Sequence, residues 1–365
     1  MIAATMKNLL VATALLLAVA VAAAPVVNEP EASREQEQRQ RDLSAPWFGA
    51  DPPSRGELPM HRRGWETCQR CGGAERLGAL VDFVGENDLA TLSNETAAAI
   101  VDAVRAHGVV VIPGQNLTRA QQVEFTSMLG DVIVLPSSFE GKDPEPFEPA
   151  IQRITNFWAN GTWKGPTAKF GAYWHQDGQF WTRPRHNVLS VLHSAKSPPE
   201  GGETGFADLR AARATLSRPL LERAANASIV SSVRDIADFA GGDESDLASF
   251  PDAVHPILDA HALDGGPTLY VGSPHMKVTG LESPEAGKGL LEMVLTHATS
   301  PAFTYFHAWT PGDVIVWDNT QTLHHAMPYK NDGTAEREMY RTQAVLRIDG
   351  GKGQGREREE VEGEL

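Results

Sequence analysis

Positive charge is scarce in this chain. Its 365 residues include 32 lysines and arginines against 47 aspartates and glutamates, which gives a formal net charge of −15 at pH 7. Part of this excess lies in the C-terminal segment 350–365, which has the composition of a charged, disordered tail. A strongly acidic chain is a poor partner for nucleic acid or for an anionic membrane surface. The balance therefore favours a small molecule as the main partner.

Cysteine is also scarce, and the only two cysteines are Cys68 and Cys71. A redox motif of this spacing should follow a strand, but the preceding stretch is rich in proline and arginine. A zinc site would need two more ligands, and His61 is the only candidate nearby. In an oxidising compartment the pair is expected to form a local disulfide that clips the segment 25–72, a linker or arm.

A glycine-rich phosphate loop after a strand is absent, which argues against a doubly wound parallel sheet. Short strand-like segments alternate with glycine and proline turns, and a few helices lie between them. Helices are predicted at Ser93–Ala106, Thr118–Leu129, Ala207–Ser217 and Ser283–His297. The pattern predicts a mostly β protein with helical cover, an α+β fold with a jelly-roll core, over residues 73–349.

Long hydrophobic runs are absent except at the N-terminus, where Leu9–Ala24 follows Lys7. Small residues close the run, as in a secretory signal peptide over 1–24, so the secretory pathway is the predicted location. The run is short for a membrane span, and no stable membrane insertion is expected once it is removed. An uncleaved membrane anchor is the alternative. Sequons that suit this route begin at Asn94, Asn116, Asn160 and Asn226.

The segment Trp174–Asp177 contains a candidate metal site. His175 and Asp177 are two residues apart, so in an extended segment their side chains point to the same side. One imidazole and one carboxylate are two thirds of the facial triad that binds iron(II) and leaves coordination positions open. The missing histidine should follow a late strand, where His324 and His325 are adjacent. Their side chains should diverge, so one of the two is expected to bind.

Five segments together resemble the taurine dioxygenase/TfdA family of iron(II)- and 2-oxoglutarate-dependent dioxygenases. In the family's order they are Gly108–Thr118, Trp174–Asp177, Pro199–Thr204, Pro311–Asn319 leading to His324, and Arg337–Arg341. The resemblance implies a double-stranded β-helix core with Fe(II), 2-oxoglutarate and O2 as cofactor and cosubstrates. The order of five motifs is much more specific than any one of them.

The resemblance also implies residue roles. His175, Asp177 and His324 match the iron ligands. Thr204 and Arg337 match the groups that bind 2-oxoglutarate, and Arg341 matches an arginine used near acidic substrates. Guanidinium suits such roles because its fork binds a carboxylate bidentately. Two tryptophans in the segment 156–163 suggest an apolar lid over the substrate or, equally, ordinary packing.

The expected activity is hydroxylation of a small, acidic organic substrate, with succinate and CO2 as co-products. Two alternatives remain at this point: a secreted small-molecule-binding protein on the same fold without turnover, and a zinc hydrolase that uses the same three ligands. Assembly into a homo-oligomer stays open. The location conflicts with the resemblance, because family members work in the cytosol, where iron(II) and 2-oxoglutarate are supplied.

Overall fold

The computed structural model describes residues 65–67, 77–81, 89–134, 149–165, 171–232 and 251–347. All of them belong to one compact unit, Pro46–Leu365. The predicted signal peptide over 1–24, the Cys68–Cys71 clip and the tail over 350–365 lie outside the described residues. Within the described residues, no helix is both long and apolar enough to cross a membrane.

Two helices near the start of the described core begin where the sequence predicts. Helix α1 spans Asn94–His107, and the Ser93 side chain accepts a hydrogen bond from the backbone N–H of Thr96. Helix α2 spans Arg119–Leu129 behind a complete capping box between Thr118 and Gln121. Each cap satisfies backbone donors that the first helical turn leaves unpaired. Both predicted helices are therefore confirmed.

One of the remaining helices precedes α1, and the others lie in the second half of the chain. They are a short 3-10 helix at Leu89–Thr91, α3 at Leu209–Thr215, α4 at Arg218–Ala224 and α5 at Pro284–Ala298. Helix α5 buries Leu290, Leu291 and Val294. These residues fall on one face because of the helical repeat, and they join the core beside α3.

The strands form one large sheet and three small ones. In chain order they are β1 Trp65–Thr67, β2 Ala79–Val81, β3 Val109–Ile112, β4 Asp131–Val132, β5 Gln152–Thr155, β6 Val188–Lys196, β7 Thr204–Asp208, β8 Ser228–Ser231, β9 Ala253–Pro256, β10 Leu258–Ala260, β11 Pro267–Leu269, β12 Lys277–Thr279, β13 Thr304–His307, β14 Val314–Asp318, β15 Thr322–Ala326 and β16 Glu338–Val345. The large sheet has the order β1-β2-β3-β14-β6-β16-β4, with β5 also on β16. Strands β13, β7 and β15 form a second sheet. Among the described pairings only β2 with β3 is parallel, so the predicted mainly antiparallel α+β fold is confirmed at this level.

The two principal sheets share one apolar cluster. It contains Val111, Ile315 and Trp317 from the large sheet and Phe206 and Tyr305 from the second. The rings of Phe206 and Trp317 lie 5.6 Å apart in an edge-on contact. Aromatic pairs of this kind stabilise a core beyond their buried area. The packing holds β15 close to β6 and β14, and this position determines where the candidate site forms.

Candidate active site

The two histidines of the site are brought together by the backbone. His175 and His324 form an isolated antiparallel bridge, with N–H to carbonyl distances of 2.9 and 2.8 Å. Their imidazole rings lie 4.1 Å apart. Because β15 also pairs with β7 on its other side, His324 is held by two neighbours. The bridge thus fixes the relative position of residues 149 positions apart in the sequence.

His175, Asp177 and His324 could hold a metal ion together, since their ligand atoms all lie within 4.8 Å of one another. The contact between Nε2 of His324 and Oδ2 of Asp177 is 3.6 Å. His325 points elsewhere, and its ring packs against Trp174 at 5.3 Å. The structure thus separates the adjacent histidines, with His324 in the group and His325 outside it.

Both histidines of the group are suited to binding a metal as neutral imidazoles. Burial lowers the pKa of His175 although Asp177 and the Tyr173 carbonyl oppose the shift, and burial followed by the proximity of His175 lowers that of His324 further. Nδ1 of His175 lies 2.8 Å from the carbonyl oxygen of Tyr173. Because a carbonyl only accepts, Nδ1 carries the proton and Nε2 presents its lone pair.

Asp177 is held ionised by its surroundings. Burial alone would raise its pKa, but Arg341, His324 and His175 hold that pKa well below its usual range. One guanidinium nitrogen of Arg341 contacts both carboxylate oxygens, at 2.9 and 3.0 Å. The hydroxyl of Ser190 donates to Oδ2 at 2.9 Å. A permanently charged carboxylate is what a divalent cation requires of such a ligand.

Gln176 faces away from the metal group and connects three loops. Its amide oxygen accepts from the backbone N–H groups of Val271 and Gly272, each at 2.9 Å, and its amide nitrogen donates to the Asn319 carbonyl. The side chain of Asn319 in turn accepts the backbone N–H of Asp177 at 3.0 Å. These buried bonds hold the His-Gln-Asp segment extended, which keeps His175 and Asp177 on one side.

Thr204 begins β7 beside β15 and is buried. Its hydroxyl oxygen accepts a hydrogen bond from the indole N–H of Trp309 at 2.9 Å. Since the indole can only donate, the hydroxyl proton of Thr204 remains available for another acceptor. Sequence reasoning identified Thr204 but not Trp309, because a tryptophan 105 residues away gives no local signal.

Arg337 is a buried cation without a carboxylate partner among the described residues. It is 8% exposed, its Nε has no hydrogen-bond partner, and burial lowers its pKa. Its guanidinium lies 5.9 Å from the centre of the Tyr329 ring. Burying an unpaired charge is costly, so a site of this kind is completed by an anion. A carboxylate-bearing cosubstrate fits it.

Arg341 occupies a different environment from the one its predicted role suggests. Besides the two contacts with Asp177, it donates to the side-chain oxygen of Gln152 on β5. The residue therefore supports the Asp177 carboxylate of the candidate metal group, and its Nε is buried and has no partner among the described residues.

The segment 156–163 is hydrogen-bonded to the backbone of Arg337 and to the preceding loop. Asn156 exchanges hydrogen bonds with the backbone of Arg337, accepting its N–H on the side-chain oxygen at 2.8 Å. The indole of Trp163 donates to Asn331 at 3.0 Å. Trp158 and Trp163 both lie in this segment. The contact of Trp163 with the 331–335 loop accounts for that tryptophan as ordinary packing, without a ligand.

The described residues thus include a His-Asp-His group that could hold a metal ion and a buried guanidinium with no carboxylate partner among them. The sequence model of the family described as "Taurine catabolism dioxygenase TauD, TfdA family" matches residues 74–343. The chain belongs to this family, and it is an oxygenase that depends on Fe(II), 2-oxoglutarate and O2.

Relatives and solved structures agree with this membership. The alpha-ketoglutarate-dependent 2,4-dichlorophenoxyacetate dioxygenase of Burkholderia sp. (strain RASC) is 31% identical over 73% of this chain and 92% of the relative. The (S)-phenoxypropionate/alpha-ketoglutarate-dioxygenase of Sphingobium herbicidovorans is 28% identical over 64% and 80%. A taurine dioxygenase structure from Burkholderia xenovorans superposes with a TM-score of 0.58 at 27% identity, over 74% of this chain and 87% of that one. The structure of AAD-2 with Mn(II) and N-oxalylglycine gives a TM-score of 0.60 at 25% identity, over 74% and 94%.

The comparisons correct the predicted location. The similar proteins are bacterial dioxygenases, and the chain covers 80–92% of the length of the two relatives described above. Nothing in these relatives supports a protein of the secretory pathway, and that prediction is wrong. It gave too much weight to hydrophobicity at the N-terminus and too little to the supply of iron(II) and 2-oxoglutarate. Glycosylation at the four sequons was predicted on the basis of the same route, so that prediction has lost its support.

Proposed function

We propose that this enzyme hydroxylates a small organic anion, with His175, Asp177 and His324 as iron ligands and with Thr204 and Arg337 as the 2-oxoglutarate site. The observation that carries the proposal is the buried guanidinium of Arg337, which has no carboxylate partner among the described residues, in the same fold as three side chains that could hold a metal ion. When bound, the iron and 2-oxoglutarate together supply oxidation of a substrate C–H bond by O2, with release of succinate and CO2.

The chain's own residues bind and orient the cosubstrate, and they exclude water from the site. Arg337 offers a fork that matches a carboxylate, and the hydroxyl proton of Thr204 is directed outward by Trp309. His175 and His324 present neutral nitrogens, and Asp177 remains charged. His175 and His324 are buried and Asp177 is partly buried, which limits the access of bulk water to the reacting centre.

Charge balance supports an anionic substrate. Arg337 and Arg341 contribute two positive charges and a bound Fe(II) two more. The carboxylates of Asp177 and 2-oxoglutarate contribute three negative charges, so one net positive charge is left in a poorly solvated site. The Nε of Arg341, which is buried and has no partner among the described residues, is the proposed donor to such an anion. The relatives named for 2,4-dichlorophenoxyacetate, (S)-phenoxypropionate and sulfate esters also suggest acidic substrates.

The finer fold assignment is part of the same proposal. Strands β3, β14, β6 and β16 share an apolar cluster with β13 and β7, which supports a double-stranded β-helix as the finer fold. We assign it to a catalytic domain over residues 73–349.

The test is an anaerobic titration of the purified full chain with Fe(II) and 2-oxoglutarate, followed by visible absorption. A weak charge-transfer band is expected for the parent and none for His175→Ala. If the parent shows no band, or if His175→Ala shows an equal one, the proposed site is refuted.

Turnover is tested separately by release of succinate under air. Aryloxyalkanoates, sulfate esters, sulfonates and neutral analogues of the same shape are compared. Anions are expected to stimulate succinate release above the level without substrate. Equal stimulation by the neutral analogues would contradict the acidic substrate class. A parent that shows the band but releases no succinate with any compound would favour a non-catalytic binding protein.

A further inference from the structure

Ser190 is a buried hydroxyl at the centre of three polar side chains. It lies on β6 and has no exposed surface. Its oxygen is 2.9 Å from Oδ2 of Asp177, 3.0 Å from Nδ2 of Asn319 and 2.9 Å from Nε2 of Gln343. A hydroxyl has one proton to donate and two lone pairs to accept with, so three partners use its full capacity.

The direction of each bond follows from groups that have only one role. The Asn319 side-chain oxygen receives the backbone N–H of Asp177 and the indole N–H of Trp317, each at 3.0 Å. Both of these groups are obligatory donors, so the orientation of the Asn319 amide is fixed. Its nitrogen must then donate, and it does so to Ser190 and to the Val188 carbonyl.

The same reasoning fixes the Ser190 proton. Asp177 is ionised and can only accept, so Ser190 must donate to it. Ser190 has no second proton, so Gln343 must donate to Ser190. The chain of donors therefore runs from Asn319 and Gln343 through one hydroxyl into one carboxylate oxygen. Turning any one of these side chains would break at least one of these hydrogen bonds.

We propose that Ser190 is a positioning residue for the metal centre, which holds the Asp177 carboxylate in the rotation that binds iron. Arg341 contacts both oxygens of that carboxylate through one nitrogen, so it supplies charge without distinguishing the oxygens well. Ser190 contacts one oxygen only and so removes the freedom to rotate. Outer hydrogen bonds of this kind typically alter metal affinity by about 10–100-fold.

The inference rests on the proposed metal role of Asp177, and its test measures metal binding rather than activity. Co(II) is titrated anaerobically into full-length parent, Ser190→Ala and Ser194→Ala, with visible spectra and calorimetry as readouts. Ser194 is a matched control because it is a fully buried serine on the same strand whose hydroxyl has no partner. The Co(II) dissociation constant is expected to rise about 10–100-fold in Ser190→Ala and to stay within about twofold in Ser194→Ala.

Two further measurements separate positioning from loss of folding. Ser190→Thr retains the hydroxyl and is expected to recover most of the affinity. Gln343→Met removes one donor to Ser190 but leaves the serine in place, so it is the substitute test if Ser190→Ala fails to fold. Its Co(II) dissociation constant is expected to rise about 2–10-fold. If Ser190→Ala folds and binds Co(II) as tightly as the parent, the inference is overturned. If Ser190→Ala does not fold, equal Co(II) affinity in Gln343→Met and the parent overturns it. Failure of the parent itself to bind metal would instead refute the proposed function.

Discussion

The two arginines of this site differ in whether a carboxylate pairs with them. Arg337 has a buried charge and no carboxylate partner among the described residues, whereas Arg341 is paired with Asp177. The two arginines are four residues apart and have the same side chain. Their proposed roles differ because their surroundings differ. A buried cation without its anion is unfavourable, and a ligand that supplies the anion regains that energy.

Replacing Arg337 with lysine is therefore expected to weaken 2-oxoglutarate binding strongly. Lysine keeps the charge but loses the planar fork, and a charge-assisted hydrogen bond is worth about 1.5–3 kcal/mol. The KM for 2-oxoglutarate should rise roughly 10–100-fold, with kcat little changed at saturation. Arg347→Lys is a suitable control, because that arginine is exposed and pairs with Asp131 at the far end of the described chain. A KM for the Arg337→Lys protein within twofold of the parent would contradict this role.

Elements bring these residues together through pairings that are remote in sequence. Strand β16 pairs with β6 along its length and with β5 at its start, and its register shifts between Glu338 and Met339. This irregularity separates Arg337 from the regular strand. Asn156, directly after β5, then binds the Arg337 backbone on both its N–H and its carbonyl. The base of the 156–163 segment thus holds the position of Arg337, the arginine proposed to bind 2-oxoglutarate.

Asn156→Ala is expected to weaken 2-oxoglutarate binding although Asn156 is not expected to touch it. The variant removes the side-chain bonds to the Arg337 N–H, to Asn331 and to the Ala335 carbonyl. An anaerobic charge-transfer titration should show a dissociation constant for 2-oxoglutarate raised roughly 3–10-fold, as each lost bond costs about 1 kcal/mol. Asn160→Ala in the same segment removes only a local bond to Thr162 and should bind like the parent. Equal effects of the two variants would show that the segment acts only as cover.

Sequence patterns predicted the elements better than the contacts between them. Caps at Ser93 and Thr118 gave the first helices because capping is a local interaction. Strand β7 was missed, and Ala207 was assigned to a helix, because all five of its residues are buried and show no alternation. His175 and Asp177 follow from strand alternation, whereas the choice of His324 needed the family resemblance. Ser190 could not be predicted, since its partners Asn319 and Gln343 are 129 and 153 residues away.

At the scale of the whole molecule, buried histidines make the fold sensitive to acid. Burial followed by nearby Arg183 lowers the pKa of His186 to about 4, and burial also lowers the pKa of His193 and of His255. The rings of His186 and His255 stack at 5.2 Å, and the nearby carboxylate of Asp259 opposes the lowering of both pKa values without cancelling it. These groups stay neutral in the folded protein at pH values where the unfolded chain already binds protons.

The sign of the effect follows from proton binding. Below about pH 6.5 the unfolded histidines take up protons and the folded ones do not, so the unfolded state gains stability as the pH falls. The carboxylates with lowered pKa, including Asp177 and Asp318, contribute stability that is lost only below about pH 4, so they do not oppose this trend. The free energy of unfolding should therefore fall between pH 6.5 and about 4.

Each such histidine can contribute up to about 1.4 kcal/mol per pH unit within this window. Urea unfolding of the metal-free full chain at pH 7.5, 6.5, 5.5 and 5.0 should give a free energy that is nearly constant between the first two values and declines below them. His186→Gln removes one titrating group and should reduce the slope by about 1 kcal/mol per pH unit. An unfolding free energy independent of pH from 6.5 to 5.0 would mean that the buried histidines are protonated in the fold.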